Sequence, residues 1–206
     1  MHIRAPAIVC ASRPHAETAV IARVLTADHG MVAGYVAGGR GRRLRPVLIP
    51  GNVVEAELRA RSDSQLPFLT LELVESRGPW LGEPLPAAAI TWVTALAATA
   101  LPERQPFAPL YQALGGLLEA ICVAPSARGW MMPLLSFELL LLRELGYGAA
   151  ISPPDAEDWP ALLDGFDRLG RALARYPLAD QPLANKGGDV MAARSMLRDR
   201  LVRIGG

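Results

Sequence analysis

Cysteine, lysine, aromatic side chains and net charge are all scarce in this sequence. Its 206 residues include only Cys10 and Cys122. Neither a disulfide framework nor a zinc site with paired cysteine ligands can be built from two distant thiols, and a reducing cytosol is the expected compartment. Twenty-one basic side chains against 20 acidic ones leave a net charge of +1. That excludes a partner held by bulk charge, so a polyanion must be met by a local patch. Every basic residue except Lys186 is arginine, which fits phosphate recognition and a compositional bias toward Arg and Ala equally well. A long apolar run is missing too. Met1 to Cys10 carries Arg4 and Pro6 and has no apolar stretch of the secretory kind. The uncharged run from Leu85 to Leu101 is short for a membrane crossing, is built of Ala and Thr, and predicts a buried helix. The expectation is a cytoplasmic protein without a membrane partner.

What is present reads as a folded chain, 51% apolar and 20% charged, with two different periods. Up to about Gly78 the pattern alternates: Glu55, Glu57, Arg59 and Arg61 interleave with Ala56, Leu58 and Ala60, and Leu69, Leu71 and Leu73 with Thr70 and Glu72. Period two means half-buried strands, and the turn residues at 62–65 make this pair a hairpin or meander. Ala7–Ser12, Ala19–Ala27 and Met31–Ala37 are further β-rich runs, and five short strands predict a small barrel of the OB type. After Trp80 apolar residues recur three and four apart in Ala87–Leu101, Leu110–Cys122, Pro133–Leu145, Trp159–Arg175 and Asp189–Ile204. Five helices in a bundle follow, with the leucine-rich third helix at its centre. The expected class is α+β, with an OB-fold barrel over 1–78 and an all-α domain over 79–206. Residues 1–78 hold ten basic and seven acidic side chains, the remainder 11 and 13, so the β half suits polyanions better.

The densest local feature is Gly38-Gly39-Arg40-Gly41-Arg42-Arg43-Leu44-Arg45. Arginines on a glycine frame can wrap phosphates; a solvated loop is the alternative, and the OB setting favours the former. The glycines match neither a phosphate-binding P-loop nor a dinucleotide fingerprint. Tyr35 and Phe68 are the two rings of the β half that could stack on bases if exposed; core is the alternative for either and is favoured for Phe68, so Tyr35, just before this loop, is the better candidate. His2, His15 and His29 have no metal-ligand spacing, and Cys10 reads as core filler. No catalytic constellation is present and no cofactor is implied. Glu138 in the third helix is either a buried ion-pair partner or an edge residue. Arg194, Arg198 and Arg203 line one side of the last helix, which reads as an amphipathic cap rather than as a second nucleic-acid strip.

Five stretches together resemble the bacterial RecO recombination mediators: Ser12–Thr18, Val24–Gly30, Ala37–Arg43, Arg45-Pro46 with Pro50-Gly51-Asn52, and Phe137–Gly148. The resemblance implies an N-terminal OB-fold followed by a helical domain in a cytosolic, non-enzymatic DNA repair protein. Such proteins bind single- and double-stranded DNA, anneal strands coated with single-stranded DNA-binding protein (SSB), and with RecR assist the loading of RecA. Many relatives carry a four-cysteine zinc insertion after the Gly-Tyr-Gly stretch; here Gly148 runs on to Ser152-Pro153-Pro154, so no metal site carries over and the C-terminal part is shortened. Leu135 and Ser136 stand where some relatives have the basic residues that receive the acidic SSB tail.

On this reading Arg13, Tyr35, Arg40, Arg42, Arg43 and Arg45 bind DNA. Arg128, Phe137, Leu141 and Arg143 are the candidates for the SSB tail. An RNA-binding OB module of translation or RNA metabolism is the second reading, and a small hydrolase using His29 and Asp28 is the third.

Overall fold

The computed structural model describes residues 2–60, 62, 65–148, 158–178 and 187–204. Arg61, Lys186, the Ser152-Pro153-Pro154 break and half of the expected turn at 62–65 lie outside them. The chain forms two compact units: Met1–Gly82 with Leu101–Tyr111, and Glu83–Ala100 with Gln112–Gly206. Residues 101–111, grouped by sequence with the helices, therefore pack in the β unit.

Five strands close a barrel: β1 (His2–His15), β2 (Ala19–Thr26), β3 (Gly30–Val36), β4 (Val53–Arg59) and β5 (Phe68–Glu75), in the order β1-β2-β3-β5-β4. β1 is longer than its apolar run because it serves two neighbours. Its first half pairs with β4, its second half with β2, and the register shifts between Val9 and Ala11. A bulge of this kind bends a strand and turns it from one partner to the next. Closure comes from the parallel pairing of Tyr35 with Phe68. It needs Gly34, since a Cβ there would lie 2.6 Å from Cβ of Leu69.

The alternation read from the sequence sorts the barrel's inside from its outside. Val20, Ala22, Val24, Val32, Val54, Ala56, Leu58, Leu69 and Leu71 fill the interior, each larger one contributing about 1.5–3 kcal/mol by leaving water. Leu73, expected inside, is 42% exposed near the end of β5. Cys10 is buried, and burial pushes its thiol up to about 12, so it is inert filler. The segment between β3 and β4 is a series of tight turns, with Arg45 N donating to Gly41 O and Leu48 N to Leu44 O, both at 3.1 Å. Leu48 enters the barrel core, and Leu44 and Val47 pack against it. Asn52 fixes this plug: its Nδ2 donates to Pro46 O at 2.8 Å and Val47 O at 3.1 Å, and its Oδ1 accepts from Arg77 N at 2.7 Å.

The second unit contains α1 (Pro84–Ala100), most of α2 (Ala108–Val123), α3 (Arg128–Glu144), α4 (Trp159–Arg175) and α5 (Gly187–Ile204). α4 opens on a capped end, Asp158 accepting from Ala161 N at 2.8 Å, followed by Pro160 in the first turn. α3 starts at Arg128, five residues before the expected Pro133. The buried face of Leu134 and Leu135 continues back through Trp130 and Met131, and burying those two large side chains offsets the donor missing at Pro133.

Glu138 is the buried ion-pair partner. It is 0% exposed; its Oε1 accepts from Trp92 Nε1 at 2.7 Å and its Oε2 from Arg194 Nη2 at 2.9 Å. Arg194 also donates to Phe166 O and lies 3.5 Å from the centre of the Phe166 ring. Trp92 of α1 and Arg194 of α5 thus meet at one carboxylate of α3, and Arg194 carries the link on to α4. Desolvation raises the Glu138 pKa, and Arg194 draws it back. Arg198 is used similarly nearer the surface, where it holds Asp167 through two bonds of 2.6 and 2.7 Å.

Candidate nucleic-acid interface

One cross-strand row on the outside of the barrel carries both cations and rings. Arg13 pairs with Ile21, Ile21 with Tyr35, Tyr35 with Phe68, and Phe68 with Arg59. Residues directly opposite one another share a face, so this row crosses all five strands. It runs between the β1–β2 turn at Ala16–Thr18 and the β4–β5 connection at 60–67, the two loops that flank the oligonucleotide groove of OB-folds. Tyr35 stands edge-to-face with Phe68, centroids 5.5 Å apart at 80°, and with His15, 6.0 Å apart at 89°. Phe68 is 65% exposed, which corrects its assignment to the core.

Arg40 differs from its neighbours. Its Nη1 donates to Glu17 O at 2.9 Å and its backbone N to Thr18 O at 3.0 Å, stapling the plug segment to the β1–β2 turn. The glycine-rich loop is therefore a packed element rather than a flexible frame, and Arg40 helps to shape it. Arg13, Arg42, Arg43 and Arg45 are exposed, and no described residue forms an ion pair or hydrogen bond with their guanidinium groups. Other arginines on the barrel surface meet carboxylates. Arg4 meets Glu55 at 3.1 Å, and Glu57 meets Arg59 at 2.6 Å and His2 at 2.8 Å. Those partners, Arg59 first, hold the Glu57 carboxyl below its usual range. Arg23, on the outer face of β2, faces Glu103 at 3.6 Å. Among the described residues of this unit, the arginines without such a partner are Arg13, Arg42, Arg43 and Arg45.

The remaining candidates do not converge. Asp28 and His29 sit exposed in the β2–β3 turn, and among the described residues no group of three or more His, Cys, Asp and Glu is placed to hold a metal. Phe137 and Leu141, expected to line a peptide groove, are 1% and 0% exposed. They face the helical core and offer no surface to a peptide. Arg143 is exposed near the end of α3, and Arg128 lies 5.3 Å over the Trp159 ring. A cavity of about 260 Å³ beside Arg128 is lined by Pro84, Leu85, Pro86, Ile121, Ala127 and Trp130 among others. No helix among the described residues is long and apolar enough to cross a membrane.

Comparison with known sequences shows the family. The family description "Recombination protein O N terminal" matches residues 1–77, and "Recombination protein O C terminal" matches 84–152. A protein named DNA repair protein RecO from Rhodospirillum centenum is 43% identical over 185 residues, covering 86% of this chain and 72% of the relative. The chain belongs to the RecO family. RecO of Phenylobacterium zucineum is 36% identical over 189 residues, 89% of this chain and 76% of its own, and that of Rhodospirillum rubrum 41% over 150 residues, 70% and 59%. The first RecO match ends at 77, within two residues of the end of β5, and the second starts at the first residue of α1.

Proposed function

We propose that this chain is a non-catalytic DNA repair and recombination mediator that binds single- and double-stranded DNA on the outer face of its barrel. The observation that carries the reading is the set of exposed, unmatched arginines of an OB barrel, Arg13 in the Tyr35 row and Arg42, Arg43 and Arg45 in the segment that follows β3. Arginine without an internal partner is free to replace counterions on phosphates. Holding two backbones close requires charge neutralisation and no acid, base or metal, so the same face can anneal complementary strands coated with SSB. Within the family's work the chain assists RecA loading with RecR in the cytoplasm. Residues 1–78, with 101–111 packed in the same unit, are the nucleic-acid-binding domain, and the rest of 79–206 is the partner-binding domain. The acidic SSB tail docks on the latter, its apolar end in the cavity beside Arg128 and its carboxylates on Arg128 or Arg143.

Anisotropy with labelled single-stranded DNA, duplex DNA, RNA and an SSB-tail peptide tests this. Both DNA forms and the peptide are expected to bind, and Arg128→Glu or Arg143→Glu should weaken the peptide by about 1.5–3 kcal/mol, the scale of a charge-assisted bond. Binding of RNA in preference to either DNA form, or equal peptide affinity in both variants and the wild type, would contradict it.

A further inference from the structure

We propose that Phe68 and the cavity beside it capture the face of an unpaired base, so that the barrel discriminates single-stranded from duplex DNA. The inference rests on the barrel face being the DNA site and adds what that face selects. Phosphate contacts alone do not distinguish the two forms, because both present the same charged backbone. A base face does. In a duplex it is covered by its stacking neighbours, whereas in a single strand it can be turned onto an aromatic ring.

Phe68 has the properties such a ring needs. It is the first residue of β5 and is held on both sides, by the pairing with Tyr35 on β3 and by Arg59 on β4. The edge-to-face contact with Tyr35 fixes its orientation at 80°, yet 65% of the residue remains in water. A rigid, flat, apolar surface is thereby kept open in the cross-strand row, between Tyr35 and Arg59. A lone exposed apolar residue would need no explanation. Phe68 is not alone: Leu66 is 44% exposed beside it, and the two share with Arg59, Ala60 and Gln65 the lining of a cavity of about 530 Å³. The volume exceeds that of one base. Gln65, itself exposed, brings an amide that can both donate to and accept from a base edge.

Charge decides that the occupant is a nucleotide and not an apolar peptide. Three strand spacings of about 4.8 Å separate Arg13 on β1 from Phe68 on β5, about 14 Å across the row. A strand whose phosphates lie on Arg13 and whose bases reach Tyr35 and Phe68 uses the face as it is laid out. Arg59 is held by Glu57 at 2.6 Å, so it closes the cavity wall and leaves phosphate binding to the unmatched arginines.

The test uses the full chain and three labelled probes of equal length: a thymine single strand, a single strand with a base-free sugar–phosphate backbone, and a duplex. Phe68→Ala is expected to weaken the thymine strand by about 5- to 150-fold, the range for losing one base–aromatic stack. The duplex and the base-free strand should stay within about twofold, and Phe68→Trp should keep single-strand affinity. Because Phe68 is mostly exposed, its truncation should leave the melting temperature nearly unchanged. Equal loss on all three probes would mean that Phe68 only shapes the barrel, and unchanged thymine-strand affinity would mean that no base sits there; either overturns the inference. Replacing Arg42, Arg43 and Arg45 by Ala separates it from the reading beneath it. If those changes weaken all three probes while Phe68→Ala weakens none, base capture fails and the DNA site stands; if neither variant matters, both fail.

Discussion

Removing Arg194 leaves the Glu138 carboxylate at 0% exposure with Trp92 Nε1 as its remaining side-chain partner. An uncompensated buried charge of this kind typically costs about 3–5 kcal/mol, so Arg194→Met alone should lower the urea midpoint sharply. The double variant Glu138→Gln with Arg194→Met keeps an oxygen for the Trp92 N–H and fills the guanidinium's place with apolar volume. It should recover at least half of the loss, because a buried ion pair is about as stable as a well-packed apolar substitute. Equal destabilisation in single and double variants would show that Arg194 stabilises through its contacts with Phe166 and not through the pair. The sequence left Glu138 open between core and edge, since a carboxylate inside a leucine-rich helix looks the same until a distant cation is found for it. Phe68 is a different case. It has the parity of Thr70 and Glu72, both outward, so the period-two pattern already pointed it to solvent. Its hydrophobicity argued the other way, and strand geometry prevails because adjacent residues cannot face the same side.

Between elements, the bidentate Asp167–Arg198 bond ties α4 to α5 near the surface. Arg198 holds the Asp167 carboxyl below its usual value. A carboxylate lowered on folding contributes stability above its unfolded pKa of about 3.9 and loses that contribution as pH falls through the lower, folded value. Asp167→Asn should therefore cost less than about 1 kcal/mol at pH 7, both side chains being partly exposed. The gap in melting temperature between wild type and variant should narrow as pH drops below about 4, and a gap independent of pH would refute the assignment. The strands and helices were legible because each keeps its period. The plug between β3 and β4 was not recognised, although Leu44, Val47 and Leu48 stand three and four apart, the spacing of one buried helical turn. The glycines and arginines around them read as a loop, and only the barrel interior shows what those apolar residues pack against. The early start of α3 was hidden for a related reason, since Pro133 looks like a first-turn residue until the burial of Trp130 is seen.

At the scale of the whole molecule, charge is distributed unequally. The first 78 residues carry a surplus of basic side chains and the rest a surplus of acidic ones, while α5 spends Arg194 and Arg198 on internal carboxylates. Among the described residues of the barrel unit, Arg13, Arg42, Arg43 and Arg45 have no matching partner, and the proposed function stands on that charge being spent on phosphates. The slope of log affinity against log salt for single-stranded DNA measures this most directly, at about 0.7 units per neutralised phosphate. Replacing Arg42, Arg43 and Arg45 by Ala should flatten that slope by about 2 units, since each arginine accounts for one phosphate. An unchanged slope in a variant that melts like the wild type would place the DNA contacts elsewhere and contradict the account.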